Sequence, residues 1–471
     1  MRIVIIGGGP GGYEAALVAA EAGADVTIVS REGLGGNSVL WDCVPSKALI
    51  VSAESMGWMQ TAHRLGVRLD SGADVATGVS VDMVAVLERV RGLSESQSAD
   101  IGRKVADAGV AVVEGLGRLA GRDAVEVEQA DGTTHRLRAD VVLIATGSQP
   151  RLLAFSHPDG ERVFTSRELY DLRELPERLV VVGSGATGAE YAQAFARFGS
   201  EVHLISSRER VLPGEDPDAA AVIEGSFERW GMVIHRQRRA VDLERSATGV
   251  RVRVGGTAQD GEWVEGTHAL FCIGQVPASG QLGLEAAGVA VGDTGAIPVD
   301  GVSRTNVPTI YAAGDVTGGI MLASVAAMQG RNAMWHALGR AVAPLDRDAI
   351  AATIFTAPEV ASVGIDQPAA AERRIPIDSV TLGFAGNPRA KMNERTAGFV
   401  KVHAMKGSGT ILGGSVVAER ASDLITPLAV AVQNRLTVSQ LAHAFTIYPS
   451  MAGSVQEAAR LLMGRQSAEH R

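Results

Sequence analysis

The sequence predicts an α/β fold in which one glycine-punctuated strand–helix–strand unit occurs twice and is followed by a C-terminal segment of α+β character. Three observations carry this. They are the apolar run from Arg2 to Ile6 leading into Gly7 to Gly12, the return of the pattern from Leu179 to Gly188, and the alternating strand-like stretches after about residue 347. At 471 residues the chain exceeds what one hydrophobic core usually serves, so about three domains are expected.

The first element, Arg2 to Ile6, is short, apolar and β-branched and reads as a strand. Gly7 to Gly12 then punctuate the chain, Tyr13 to Ala22 reads as an alanine-rich helix, and Asp25 to Ser30 is the next strand. Such a βαβ unit implies a parallel sheet. In the second copy Leu179 to Val182 is the strand, Gly183 to Gly188 the turn, the helix runs through Phe198, and Glu201 to Ser206 is the closing strand. Gly183 lies 176 positions after Gly7, and each second strand ends at a serine 23 positions beyond the first glycine, Ser30 and Ser206, so the copies share a register.

Asp140 to Pro150 (DVVLIATGSQP) and Asn306 to Gly318 (NVPTIYAAGDVTG) each return the chain to a strand and a tight turn, and they mark where the second copy is inserted into the first. The expected division is therefore 1–150 and 281–346 for the first domain, 151–280 for the inserted one and 347–471 for the last. In the last, Gly398 to His403 and Gly413 to Ala418 read as strands and Leu424 to Leu436 as helix.

With 46% hydrophobic and 21% charged residues the composition is globular, neither disordered nor that of a membrane protein. A net charge of −9 without long basic runs disfavours nucleic acid or an acidic membrane surface as partner. Two cysteines, Cys43 and Cys272, do not make a secreted disulfide framework, and Cys272 is expected in the core. No apolar run reaches about 18 residues, and the chain opens directly on a strand with no signal peptide, so a cytoplasmic location is expected. Nothing points to a metal.

Gly7, Gly9 and Gly12 form G-x-G-x-x-G between a strand and a helix, and Gly183, Gly185 and Gly188 repeat it. The first glycine allows the tight turn, the second lets a pyrophosphate approach the backbone, and the third lets helix and strand pack closely. The helix N-terminus adds N–H donors and a positive dipole end. Two Rossmann-like dinucleotide-binding domains, the second inserted in the first, are the expected architecture. An acidic residue would ordinarily close the second strand and hold the ribose. Here serine stands in both copies: in the first, Glu32 substitutes or Ser30 makes a weaker contact, and in the second, Ser206 is followed by Arg208 and Arg210, whose guanidiniums suit a 2′-phosphate and favour NADPH over NADH. The bland alternative is that Arg208 and Arg210 are solvated loop charges.

On these motifs, together with GGNSVLWDCVPSKAL at 35–49, ATGSQP at 145–150, YAAGDVTG at 311–318 and FTAPEVASVG at 355–364, the chain resembles the pyridine nucleotide-disulfide oxidoreductases, near dihydrolipoamide dehydrogenase and glutathione reductase, over essentially its whole length. The resemblance implies FAD in the first unit, NAD(P)H in the second, and a C-terminal α+β dimerisation domain that makes a homodimer. It implies Asp315 on the flavin's ribityl chain, Thr146 and Gly147 at the flavin, and Lys47 with Glu190 as an ion pair where the nicotinamide meets the ring.

The departures decide the expected function. The family's redox dithiol is two cysteines five positions apart, and here Cys43 keeps the flavin-side place while Ser38 occupies the exchange place. The family's partner-subunit histidine and glutamate, acid and base for thiol exchange, are replaced by Tyr448 and Gly453. Near the flavin, Ser324 and Gln329 stand where histidine and glutamate are common. Hydride transfer from NAD(P)H to FAD is retained and disulfide reduction lost, so a flavoprotein NAD(P)H:quinone reductase, or diaphorase, is expected, its acceptor pocket walled by Trp41, Cys43 and Tyr448 from the partner subunit. Two alternatives stand beside it: a reductase of peroxide or mixed disulfides cycling Cys43 through a sulfenic acid, and a non-catalytic flavin-binding redox sensor.

Overall fold

The strand Arg2–Ile6 lies at the centre of a five-stranded parallel sheet, in the spatial order Ile310–Ala312, Val141–Ile144, Arg2–Ile6, Asp25–Ser30, Ala111–Glu114. It belongs to a computed structural model that describes residues 1–68, 78–255 and 261–469. Both faces of this strand are buried, as a central parallel strand requires. Ile3 and Ile5 pack with Ala15, Ala16 and Ala19 of the helix Pro10–Glu21, and Val4 and Ile6 pack on the other side with Leu119, Val125 and Val127 of a three-stranded antiparallel sheet. Each such aliphatic side chain removed from water contributes roughly 1.5–3 kcal/mol. Alanines on the helix let it lie close to the sheet, and Gly11 and Gly330 let it lie close to the helix Ala323–Ala337: a Cβ on Gly330 would stand 2.1 Å from the Gly11 carbonyl oxygen.

The chain divides into two units. The first comprises Met1–Leu49, Asp82–Glu174 and Ile273–Leu345, and the second Ile50–Val81, Leu175–Cys272 and Asp346–Arg471. The second unit repeats the scheme of the first. Arg178–Val182 pairs in parallel with Glu201–Ile205 and with His268–Phe271, Val233–His235 extends the sheet, and an antiparallel meander over 239–266 follows. The second unit also carries a five-stranded antiparallel sheet ordered Ala351–Ile354, Glu359–Gly364, Ile411–Ala418, Phe399–Met405, Ile377–Gly383. Val400, Val402, Val416 and Leu428 form its core with Val455, Ala458 and Leu462 of the helix Gly453–Glu469. The stretch expected as one helix, Leu424 to Leu436, is instead broken near Ile425, where the helix Ala421–Leu424 ends and Thr426–Gln433 begins with proline in its first turn. Cys272, expected in the core, is half-buried, because it stands just past the end of the strand His268–Phe271. Among the described residues no helix is long and apolar enough to cross a membrane.

Candidate active site

In the first unit a cavity of about 540 Å³ opens at the C-terminal ends of the parallel strands, where open α/β sheets take their ligands. Gly7, at φ +115°, turns the chain there; a Cβ on it would stand 2.2 Å from the Ala145 carbonyl oxygen, and one on Gly12 would stand 1.9 Å from that of Gly7. These two glycines are fixed by backbone packing. Gly9 differs: a Cβ there would meet nothing nearer than Gly36 Cα at 3.7 Å, so its backbone faces open cavity at the start of the helix Pro10–Glu21, which has no side-chain cap. The arrangement fits a pyrophosphate on uncapped N–H groups.

A second glycine loop closes over this turn. The Gly35 N–H donates to the Gly8 carbonyl at 2.8 Å, and a Cβ on Gly36 would stand 2.6 Å from Gly9 Cα. Of the two candidates for the ribose, Ser30 turns its hydroxyl to the Gly33 carbonyl at 2.6 Å, while the Glu32 carboxylate accepts from Arg167 at 2.5 Å, Arg31 at 2.9 Å and the Trp41 indole N–H at 3.1 Å. Burial alone would raise the Glu32 carboxyl, and the bonds from Arg167 and Arg31 outweigh it and hold the group below its ordinary range. The Arg167 guanidinium stacks 4.7 Å over the Trp41 ring. Trp41 therefore belongs to this cluster, and Ser30 and Glu32 line the cavity.

Further along, Asp315 starts a short 3-10 turn after Gly314, and its Oδ2 accepts from Ser148 Oγ at 2.7 Å. Burial raises its carboxyl, and the Ser148 bond opposes the rise without cancelling it. Thr146 Oγ1 donates to the Ala278 carbonyl at 2.9 Å, and Gly147, at φ +70°, accepts from the Ala278 N–H, so this pair builds the cavity wall. Ser38 and Cys43 line the same cavity; the Ser38 hydroxyl donates to the Gly35 carbonyl at 2.9 Å, and Cys43 begins the helix Cys43–Thr61. Lys47, one turn on, donates to Ser46 Oγ at 3.2 Å. Ser324 is exposed, and Gln329 accepts from the Gly314 N–H at 2.8 Å and so secures the turn before Asp315. Asp42 and Asn37 were missed from sequence: both line the cavity, Asn37 donating to the Ser148 carbonyl at 2.6 Å.

In the second unit Gly183, at φ +112°, and Gly188, whose Cβ would stand 1.8 Å from the Gly183 carbonyl oxygen, repeat the first turn, and a Cβ on Gly185 would meet nothing within 4 Å. Ser206 departs from expectation. It is 0% exposed, bonded to Ser184 Oγ at 2.7 Å and to the Arg208 carbonyl at 3.0 Å, and so it holds the turn and has no surface for a ribose. Arg208 and Arg210 line a pocket there with Glu209, Glu224 and Arg236. Arg236, missed from sequence, pairs with Glu224 and Glu228 at 3.1 and 3.2 Å. Glu190 is 5% exposed on the helix Ala186–Phe198 and accepts from the Phe355 N–H at 2.8 Å. Tyr448 is 82% exposed beside exposed Phe445 and Ile447, and Gly453 opens the last helix with its N–H on Ser450 Oγ at 3.1 Å.

The family described as pyridine nucleotide-disulphide oxidoreductase matches residues 1–330, and its dimerisation domain matches 350–459. An NAD(P)H dehydrogenase (quinone) from Mycobacterium tuberculosis is 46% identical over 99% of this chain and 95% of its own. A dihydrolipoyl dehydrogenase from Chlorobaculum tepidum is 33% identical over 97% of this chain and 96% of its own. The crystal structure of LpdA from Mycobacterium tuberculosis superposes with a TM-score of 0.92 at 46% identity, covering 98% of this chain and 100% of that one.

Proposed function

The chain belongs to the pyridine nucleotide-disulphide oxidoreductases, flavoprotein enzymes that use FAD and NAD(P)H, and from that premise we propose that it is an NAD(P)H:quinone oxidoreductase acting as a homodimer. The observation that carries this is the presence of Ser38 and Cys43 together on the cavity wall: a thiol and a hydroxyl cannot form the internal disulfide through which the family reduces a substrate disulfide. FAD, when bound in the first unit, would supply the redox chemistry, accepting a hydride from NAD(P)H and giving electrons to the acceptor.

The chain's own residues supply binding and orientation. Gly9 and Gly185 leave their backbone open to the two pyrophosphates, and Asp315, steadied by Ser148, holds the ribityl hydroxyls. Arg208 and Arg210 take a 2′-phosphate and favour NADPH. Lys47 serves the flavin in the first unit, and Glu190 serves the nicotinamide in the second. Cys43 is a wall of the acceptor site, and the partner subunit's Tyr448 offers its hydroxyl to a quinone oxygen. The exposure of Phe445, Ile447 and Tyr448 supports the homodimer, since three large side chains so bare in one segment suit burial against a second copy.

The test is steady-state turnover of the purified, FAD-loaded protein with NADPH and NADH against benzoquinone, lipoamide and glutathione disulfide. Turnover is expected with benzoquinone alone, and substantial lipoamide turnover would overturn the assignment.

A further inference from the structure

The pocket beside the second glycine turn contains a carboxylate that none of the roles above uses. Glu224 lies on the helix Pro217–Arg229, largely buried, and lines the pocket with Arg208, Arg210 and Arg236. Its Oε1 accepts the N–H of buried Val211, the residue after Arg210, at 2.6 Å. That bond pins the carboxylate to the loop and leaves Oε2 on Arg236 Nη2 at 3.1 Å. Glu228, 3.2 Å from the same nitrogen, is 61% exposed. The Gln237 N–H donates to the Arg208 carbonyl at 3.0 Å, which fastens the segment carrying Arg236 beside the loop carrying the other two arginines. Among the described residues the guanidiniums of Arg208 and Arg210 form no ion pair, so Arg236 differs from them in being already engaged.

Beyond the second strand of such a unit, arginine accommodates the 2′-phosphate by which NADP differs from NAD. A phosphate entering this pocket meets two unengaged guanidiniums, a third held by carboxylates, and the fixed negative charge of Glu224. Phosphate and carboxylate repel each other and compete for Arg236. We propose that Glu224 is a specificity-determining residue of the second nucleotide site: it keeps Arg236 in an ion pair and lowers the preference for a 2′-phosphorylated nucleotide below what three guanidiniums would give. This role rests on the reading of Arg208 and Arg210 as the 2′-phosphate site. Glutamine at position 224 keeps an oxygen for the Val211 N–H and removes the charge, so one substitution separates the carboxylate's hold on the loop from its electrostatic effect.

The test is calorimetric titration of FAD-loaded wild type and Glu224→Gln with NADP⁺ and NAD⁺, oxidised nucleotides that bind without hydride transfer. A charge a few ångströms from an anion near the protein surface changes binding on the order of tenfold. The ratio of the NAD⁺ to the NADP⁺ dissociation constant should therefore rise about tenfold in Glu224→Gln, through tighter NADP⁺ binding with NAD⁺ nearly unchanged. Glu228→Gln removes the exposed partner of Arg236 and should shift the ratio by no more than about twofold. An unchanged or lower ratio in folded Glu224→Gln overturns the role, and so does an equal rise in Glu228→Gln. Should Glu224→Gln fail to fold, Arg236→Gln supplies the converse, because it leaves the Glu224 charge unpaired in the pocket: the ratio should fall severalfold, and an unchanged ratio overturns the role. Arg208→Ala with Arg210→Ala tells the two readings apart. If that double variant keeps the wild-type ratio, the 2′-phosphate site fails and the role of Glu224 with it, whereas a lost preference there beside an unchanged Glu224→Gln overturns the role of Glu224 alone.

Discussion

The two glycine turns of this chain are nearly superimposable in kind and differ in what lies over them. Gly7 and Gly183 have φ of +115° and +112°, and a Cβ on Gly12 or Gly188 would collide with the preceding turn at 1.9 or 1.8 Å. Over the first turn, the loop Gly33 to Gly36 folds down with a backbone bond to Gly8, and the cluster of Glu32, Arg167 and Trp41 flanks it. The loop after the second turn also returns, Leu212 donating its N–H to the Ser184 carbonyl at 2.8 Å, but it covers the turn less closely: a Cβ on Gly185 would meet nothing within 4 Å, and the Ser184–Ser206 bond braces the turn from inside the fold. A closely covered turn suits a nucleotide that stays, and a less closely covered one suits a nucleotide that comes and goes with each cycle. The same motif thus gives a resident cofactor or an exchanging substrate according to the loop that follows.

The largest effect should come from filling the third glycine of each turn. Valine at either place forces backbone apart, which costs at least the roughly 1–3 kcal/mol of ordinary overpacking. Gly12→Val should purify without flavin absorbance and melt at a lower temperature. Gly188→Val should keep its flavin yet fail to bleach when NADPH is added anaerobically. If Gly188→Val also lost its flavin, the separation of the two sites would be broken.

Next in size is the choice of nucleotide. A charged hydrogen bond contributes roughly 1.5–3 kcal/mol, so Arg208→Ala with Arg210→Ala should raise KM for NADPH about 10²-fold and leave KM for NADH nearly alone. Arg236→Ala should do less, because its guanidinium already serves Glu224 and Glu228. Equal losses for both nucleotides would mean that Arg208 and Arg210 are solvated loop charges.

How far the sequence spoke depends on how far apart the interacting residues lie. The turns were legible because strand, glycines and helix are contiguous, and each glycine has one steric duty. Glu32 was named as a ribose candidate, but its tie to Arg167 spans 135 positions, and no local pattern announces it. Ser206 misled because the strand register gives its position and not the direction of its hydroxyl, which turns inward to Ser184. Asp42 left a faint signal, an acid directly before the cysteine that starts a helix, and burial, which makes it notable, is a tertiary property.

A smaller effect concerns pH at the first cavity. It holds two carboxyls, Asp42 and Asp315, that burial raises above their ordinary range. A carboxyl whose folded-state value is raised gives its full stability below the unfolded value and loses it as pH rises through the folded one. Asp42→Asn, which cannot ionise, should therefore raise Tm near neutral pH and leave it unchanged below the ordinary carboxylate range, as read by calorimetry. A Tm gain that is the same at both pH values would place the cost of Asp42 in packing and not in charge.

The smallest change expected is at the residue that most resembles a catalyst. Cys43 starts a helix and lines the cavity, where a thiolate would be favoured by the N–H groups and the dipole. Such a thiolate acts on a disulfide only when a second thiol resolves the mixed disulfide, and Ser38, bonded to Gly35, cannot. What remains for Cys43 in quinone reduction is contact with the acceptor, and serine preserves most of its volume. Cys43→Ser should thus change benzoquinone turnover by no more than about threefold, well under the loss of one general acid, while changing any turnover of peroxide completely. The assay is one titration of each acceptor on wild type and variant at matched flavin content. Loss of benzoquinone turnover in Cys43→Ser would make the thiol a chemical participant and turn the first cavity from a wall around a resident cofactor into a thiol-based site.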